Sequence, residues 1–165
     1  MTNCVVRQAV AADHPAIRAV VVEAFKGDGE ANLIESLRSA GDMVLELVAV
    51  RDDQIVGNIV FSRLLVVVGG QNHAAVALAP LAVQPALQLK GIGHRLVEEG
   101  HSKLAPRETL SVVLGDPSYY GRFGYSHARA AKFDSAYQCE ALQALAWGNG
   151  PKTGRIVYPS AFSGL

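Results

Sequence analysis

Residues 80–104, reading PLAVQPALQLKGIGHRLVEEGHSKL, leave the chain around them few architectures to choose from. Val76, Leu78, Leu81 and Val83 supply the apolar positions of a strand, and Gln84-Pro85 breaks it. Ile92, Leu96, Val97, Gly100 and Leu104 then recur at helical spacing after the pair Gly91 and Gly93. The order is strand, glycine-bearing turn, helix. Such a turn leaves the first N–H groups of the helix without intrahelical partners and sets the positive end of the helix dipole beside them. A phosphate fits there: two residues without a Cβ let the backbone approach a bulky anion, and Lys90 adds charge at the same mouth. The dinucleotide fingerprint is excluded because Leu96 stands where its third glycine belongs. The P-loop is excluded because no Gly-Lys-Ser/Thr triplet occurs.

At 165 residues the chain is long enough for one domain with a sizeable core and short for two, so residues 1–165 are expected to form a single domain. Half of the residues are hydrophobic, yet the apolar runs are interrupted well before the roughly 18 residues that cross a bilayer. Met1-Thr2-Asn3-Cys4 lacks the basic, apolar, small-residue order of a signal peptide, and a cytoplasmic protein without membrane attachment is the expectation. Fifteen basic and fifteen acidic residues cancel with no lysine or arginine cluster, which removes the footprint of a nucleic-acid binder and points to a small ligand. Cys4 and Cys139 form no Cys-x-x-Cys pair and read as reduced thiols. Of the five histidines, only His94 and His101 share a helix face, two turns apart and too far for one metal; none is expected.

Elsewhere strand and helix signals alternate. Residues 4–10 are short and β-branched, a first strand. Asp13 stands where an N-cap belongs and Pro15 in a first turn, with Ile17, Val20, Val21, Ala24 and Phe25 following at helical spacing. Gly27-Asp28-Gly29 breaks that helix, and Leu33, Ile34, Leu37 and Ala40 mark a second that stops at Gly41. Residues 44–50 and 55–68, joined by the polar turn 51–54, predict an antiparallel hairpin. Residues 69–72 turn the chain into the fourth strand, where Pro80 cannot donate to a ladder, so a bulge is expected. Residues 109–114 read as a buried strand, and Asp116-Pro117 opens a short helix over 117–123 that ends at Gly124. Beyond Tyr125 the signals weaken: 128–133 and 155–162 are strand-like, 140–147 carry a faint helical spacing, and 148–151 form a loop. The sum is a mixed α/β layer on a central sheet.

The run Gln88-x-x-Gly91-x-Gly93 after an apolar strand resembles the pyrophosphate signature (Gln/Arg-x-x-Gly-x-Gly/Ala) of the GNAT superfamily of acyl-CoA-dependent N-acetyltransferases. Residues 119–125, Tyr-Tyr-Gly-Arg-Phe-Gly-Tyr, are similar to the GNAT segment whose fourth-helix tyrosine, Tyr120 here, faces the thioester sulfur, and they end the longer string 115–125, Gly-Asp-Pro-Ser-Tyr-Tyr-Gly-Arg-Phe-Gly-Tyr. With residues 154–162 (Gly-Arg-Ile-Val-Tyr-Pro-Ser-Ala-Phe) that string looks like a subgroup of small bacterial N-acetyltransferases. The element order matches as well, so the resemblance covers most of the chain. It implies the GNAT fold, an α/β (α+β) architecture. Its mixed, mostly antiparallel central sheet is flanked by helices, and a bulged fourth strand splays from the fifth around the pantetheine arm of acyl-CoA.

The activity so implied is transfer of acetyl from the co-substrate acetyl-CoA (CoA after transfer) to a primary amine by direct attack through a tetrahedral intermediate. By position in the family motifs, Leu81 offers its backbone N–H to the oxyanion, Val83 contacts pantetheine through its backbone, and Ala82 between them is a further cofactor-binding candidate. Gln88, Leu89, Lys90, Gly91, Ile92, Gly93 and His94 line the pyrophosphate turn. Tyr120 is the candidate acid that protonates the leaving thiolate, or a packing residue against the pantetheine. Tyr119 reads as core or cofactor wall, Phe123 is candidate cofactor wall, and Arg122 a surface or phosphate-edge charge. Glu30, opening the second helix beside the acceptor site, and Glu46, on a strand between apolar neighbours, are candidate bases. Against that role stand the commoner readings of a helix-start charge and a solvent-facing strand residue. The implied partners are a small-molecule or peptide amine acceptor, with a homodimer admitted and neither nucleic acid nor membrane involved. A GNAT-fold module that binds acyl-CoA as a sensor or scaffold without turnover is the alternative; the retained Tyr120 argues for turnover.

Overall fold

Apolar runs with no polar face need cover on both sides, and three consecutive strands have it: β2 (Met43–Arg51), β3 (Gln54–Val68) and β4 (Gln71–Val83). The computed structural model describes residues 4–164, so the leader reading made on Met1-Thr2-Asn3 lies outside the described residues. Leu45, Leu47 and Ala49 of β2 pack with α3 (Ile92–Leu104), whereas Val48 packs with α1 (His14–Phe25) and α2 (Gly29–Ala40) on the opposite face. β3 divides in the same way, Ile59 and Phe61 to the first side, Val60, Leu64 and Val66 to the second. One sheet is thus sandwiched by two helical layers. α3 holds its place through Ile92, Leu96, Val97 and Leu104, all buried and each stabilising by roughly 1.5–3 kcal/mol.

The sheet runs β1-β2-β3-β4-β5-β7, with β1 (Cys4–Gln8), β5 (Leu110–Leu114) and β7 (Leu142–Ala146). Neighbours along it are antiparallel except β4 and β5, which α3 joins as a parallel crossover. Their pairing covers only Val76–Leu78 against Ser111–Val113. On the other side of β4, Ile59 faces Leu81 but Phe61 faces Leu78, so Ala79 and Pro80 crowd opposite Val60. This is the bulge expected at Pro80, and beyond it β4 continues without β5 beside it. The 44–68 hairpin and the helix ending at Gly124 also form as read.

Three expectations are corrected. Residues 140–147 hold strand β7, not a helix: Leu142 to Ala146 pair along the free edge of β5, and that ladder outweighs a faint helical spacing. Residues 128–133 hold the short helix α5 (His127–Ala130), started by Ser126, whose hydroxyl accepts the Arg129 N–H at 3.2 Å; only Phe133–Asp134 form a strand, β6. Of residues 155–162, the strand β8 (Gly154–Val157) ends before Pro159, and Ser160–Gly164 coil as a 3-10 turn. β8 pairs with β3 at Leu65–Val67 and with β6, which brings the C-terminal segment over the α1/α2 face. Asp13 precedes α1 as read but does not cap it. Its carboxylate accepts from Arg7 at 2.7 and 3.1 Å and from the Val10 N–H at 2.8 Å, tying β1 to the start of the helix.

Candidate active site

Where β4 leaves β5, the backbone direction of β4 decides what the gap contains. Residues 81–83 pair regularly with Ile59, Asn58 and Gly57, and the Gln84 N–H donates back toward β3, to the Val56 carbonyl at 2.8 Å. Amides alternate along a strand, so the peptide groups of Leu81 and Val83 face away from β3, into the gap. The Val83 carbonyl confirms the direction, accepting from Gln88 Nε2 at 3.1 Å. Gln88 therefore ties the glycine turn to the strand through its side chain.

On one side of Leu81 lies a cavity of about 390 Å³ at the start of α3, lined by Leu81, Val83, Gln88, Leu89, Gly91, Ile92, Gly93, His94, Tyr119 and Arg122 among others. None of the N–H groups of residues 89–94 meets a backbone acceptor among the described residues; the Arg95 N–H is the first to do so, on Gly91 at 3.1 Å. The two glycines serve different ends. Gly91 has φ +87°, a left-handed conformation that an L side chain resists, with open space where its Cβ would be. A Cβ on Gly93 would project into the cavity, 2.8 Å from the Tyr119 hydroxyl and 3.7 Å from Val83. Lys90 is exposed and outside the lining, and the cation at this mouth is Arg122, its guanidinium 5.8 Å from the centre of the Tyr119 ring. His94 is held by Glu98 at 2.9 Å and by the Phe123 ring, centroids 4.8 Å apart. Ala82 is buried on the opposite side, in the core under α1 and α2.

On the other side lies a second cavity of about 390 Å³, lined by Phe25, Glu30, Leu33, Leu81, Tyr120, Tyr137, Tyr158 and Phe162, with parts of β4 and β5. Leu81 lines both cavities. The adjacent tyrosines face one each, Tyr119 the first and Tyr120 the second, with their rings edge to face at 5.1 Å. Helix α4 (Pro117–Tyr120) sets this up, because the Asp116 carboxylate accepts the Ser118 N–H at 2.9 Å and fixes the first turn. Gly115 completes it: any Cβ there would stand 2.6 Å from the Tyr120 ring. Burial, and secondarily Tyr119, push the Tyr120 phenol up to about 12, so it holds its proton at neutral pH.

Behind Tyr120 stands the Tyr125 ring, centroids 5.9 Å apart. Its buried hydroxyl sits 2.7 Å from Ser111 Oγ and 2.9 Å from His101 Nε2. Burial lowers His101 to about 4, so this imidazole is neutral. Glu30 and Tyr120 both line the second cavity, whereas Glu46 lies elsewhere and is not solvent-facing. It is buried on β2, bound by Arg38 at 2.8 and 3.1 Å and by Asn58 at 3.0 Å, which makes it a structural ion pair. Phe25, Tyr137, Tyr158 and Phe162 were missed; the only hint was the likeness of residues 154–162 to a family string.

Comparison with known proteins bears on this geometry. The Acetyltransferase (GNAT) domain family matches residues 5–128. An uncharacterized N-acetyltransferase of Escherichia coli K12, YhbS, is 38% identical over 125 residues, 74% of either chain. The crystal structure of YhbS from Escherichia coli in complex with CoA superposes with a TM-score of 0.89 at 32% identity, covering 99% of this chain and 93% of that one. A GNAT family acetyltransferase from Brucella melitensis in complex with acetyl-CoA reaches 0.83 at 33% identity, covering 98% and 99%.

Proposed function

The chain belongs to the GNAT acetyltransferase family, and from that premise we propose that it moves an acetyl group from acetyl-CoA to a primary amine by direct attack on the thioester. The observation that carries the proposal is the shared wall: Leu81 borders both cavities, with free helix N–H groups at one end of the split and a carboxylate at the other. The pyrophosphate of CoA lies on the N–H groups of residues 89–94, where the dipole of α3 and Arg122 favour an anion. The pantetheine arm follows β4 as a substitute for the missing β5 neighbour, bonded to the backbone of Val83. Tyr119 walls it in, and Gly93 leaves it room.

The thioester carbonyl then reaches the Leu81 N–H, which stabilises the oxyanion as the amine adds. The amine arrives from the aromatic cavity, where Glu30 attracts its ammonium form and takes up the released proton directly or through water. When the C–S bond breaks, the electron pair stays on sulfur and Tyr120, protonated at neutral pH, gives the thiolate its proton.

Two measurements test this reading. Saturating CoA should stabilise the fold, by about 2.7 kcal/mol at a hundred times its dissociation constant, while ATP and NAD add far less. CoA release from acetyl-CoA should then depend on an added primary amine. A melting temperature that CoA does not move, or CoA release indifferent to every amine, would overturn it.

A further inference from the structure

The aromatic cavity is assembled from distant parts of the chain. Phe25 comes from the end of α1, Glu30 and Leu33 from the start of α2, and Tyr137, Tyr158 and Phe162 from the segment beyond the residues that the family matches. Tyr158 is the centre of a ring ladder, edge to face with Tyr137 at 5.0 Å and tilted against Phe162 at 5.2 Å. Pairing of β8 with β3 and packing of the Ser160–Gly164 turn against α2 hold the ladder in place. Among the described residues of the lining, Glu30 is the single acid, and no Lys, Arg or His joins it. Burial pushes the Tyr158 phenol, like that of Tyr120, up to about 12, so neither ring adds a negative charge near neutral pH.

We propose, resting on the acetyl-transfer reading above, that the acceptor is a monoamine whose amino group sits on a compact aromatic or branched aliphatic body. One carboxylate meets one ammonium. The rest of the acceptor lies against apolar and aromatic surface, where an offset or edge-on ring gains stacking contacts with the Tyr137–Tyr158–Phe162 ladder. A polyamine or aminosugar would carry a second ammonium into a wall with no second acid, losing its hydration with nothing to replace it. The cavity, about 390 Å³, also lies at the small end of the roughly 300–1,000 Å³ range of small-molecule sites.

The test measures kcat/KM for 2-phenylethylamine, 3-methylbutylamine, ethylamine and spermidine at saturating acetyl-CoA, together with binding of 2-phenylethylamine to the CoA-saturated protein. The first two amines should exceed ethylamine and spermidine by about tenfold or more, since apolar groups in a fitted pocket discriminate on that scale. Tyr137, partly exposed, can be cut back with little effect on the core. Tyr137→Ala should remove most of the 2-phenylethylamine advantage through KM. Spermidine or ethylamine as the equal of 2-phenylethylamine, or an advantage untouched by Tyr137→Ala, would overturn the acceptor class while leaving acetyl transfer intact. Saturable binding of 2-phenylethylamine without any acetylation would overturn the acetyl-transfer reading and keep the pocket's preference. Absence of both binding and turnover of the apolar amines would overturn the acceptor class.

Discussion

The helix-start cavity and the aromatic cavity occupy two ends of one split in the sheet, yet they are built by opposite means. The first is made largely of backbone: unpartnered N–H groups of residues 89–94, the peptide edge of β4, and a turn tied down by Gln88. The second is made of side chains contributed by α1, α2, α4 and the segment after residue 132, set against β4 and β5. A backbone site tolerates many side chains provided the turn keeps its shape, whereas a side-chain site changes with each substitution. One end is therefore suited to a constant ligand and the other to a particular one.

The largest expected effect falls on the tyrosine pair where the ends meet. Tyr120→Phe keeps the ring seated against Gly115 and deletes only the hydroxyl, so CoA should still bind. Turnover should drop by about 10² to 10⁴ if thiolate departure limits the rate. Tyr119→Phe, the same deletion on the other side of the wall, should leave kcat near wild type. A larger loss in Tyr119→Phe would reverse the roles assigned to the two cavities.

Next in size is an acid effect specific to the packing behind Tyr120. His101 titrates near 4 in the folded protein and near 6.5 when unfolded, so the unfolded chain takes up the proton first. Its contribution to stability is complete above about pH 6.5, declines as pH falls, and at pH 4 has lost up to about 3 kcal/mol. Urea denaturation across that range should show the slope, and His101→Gln should flatten it. The same slope in His101→Gln would mean that carboxylate ion pairs alone set acid stability.

This contrast explains what could be read in advance. Apart from Tyr119 and Arg122, the helix-start cavity comes from one continuous stretch, and Gln88, Gly91, Gly93 and the bulge at Pro80 are local requirements that leave local signals. Even there the work of each glycine was not legible, because the Tyr119 contact of Gly93 is tertiary. The aromatic cavity left almost no trace. Tyr137 sits in an exposed turn, and Tyr158 and Phe162 flank a proline at a strand end, where nothing in the spacing says that β8 folds back onto β3. Glu46 shows the converse error: a lone acid in an apolar strand looked surface-facing or catalytic until the fold supplied Arg38 and Asn58.

Smaller effects separate the two glycines. Gly91→Ala forces a side chain into a left-handed conformation at a cost of about 1–2 kcal/mol, and CoA affinity measured by calorimetry should fall with the shape of the turn. Gly93→Ala leaves the backbone unstrained but displaces the end of Tyr119, so its loss of CoA affinity should be partly recovered in Gly93→Ala/Tyr119→Phe. Equal, unrecovered losses would argue that both act through the backbone. Smallest is Glu30→Gln, which should lower kcat/KM for amines by about tenfold and leave the CoA-induced rise in melting temperature unchanged.

The most direct test of the two-ended split is a crystal structure with acetyl-CoA bound. The account predicts the pyrophosphate on the N–H groups of residues 89–94, pantetheine bonded along Val83, and the acetyl carbonyl at the Leu81 N–H with its open face toward Glu30 and the aromatic ladder. Phosphates bound away from the start of α3, or an acetyl group directed away from the aromatic cavity, would contradict it.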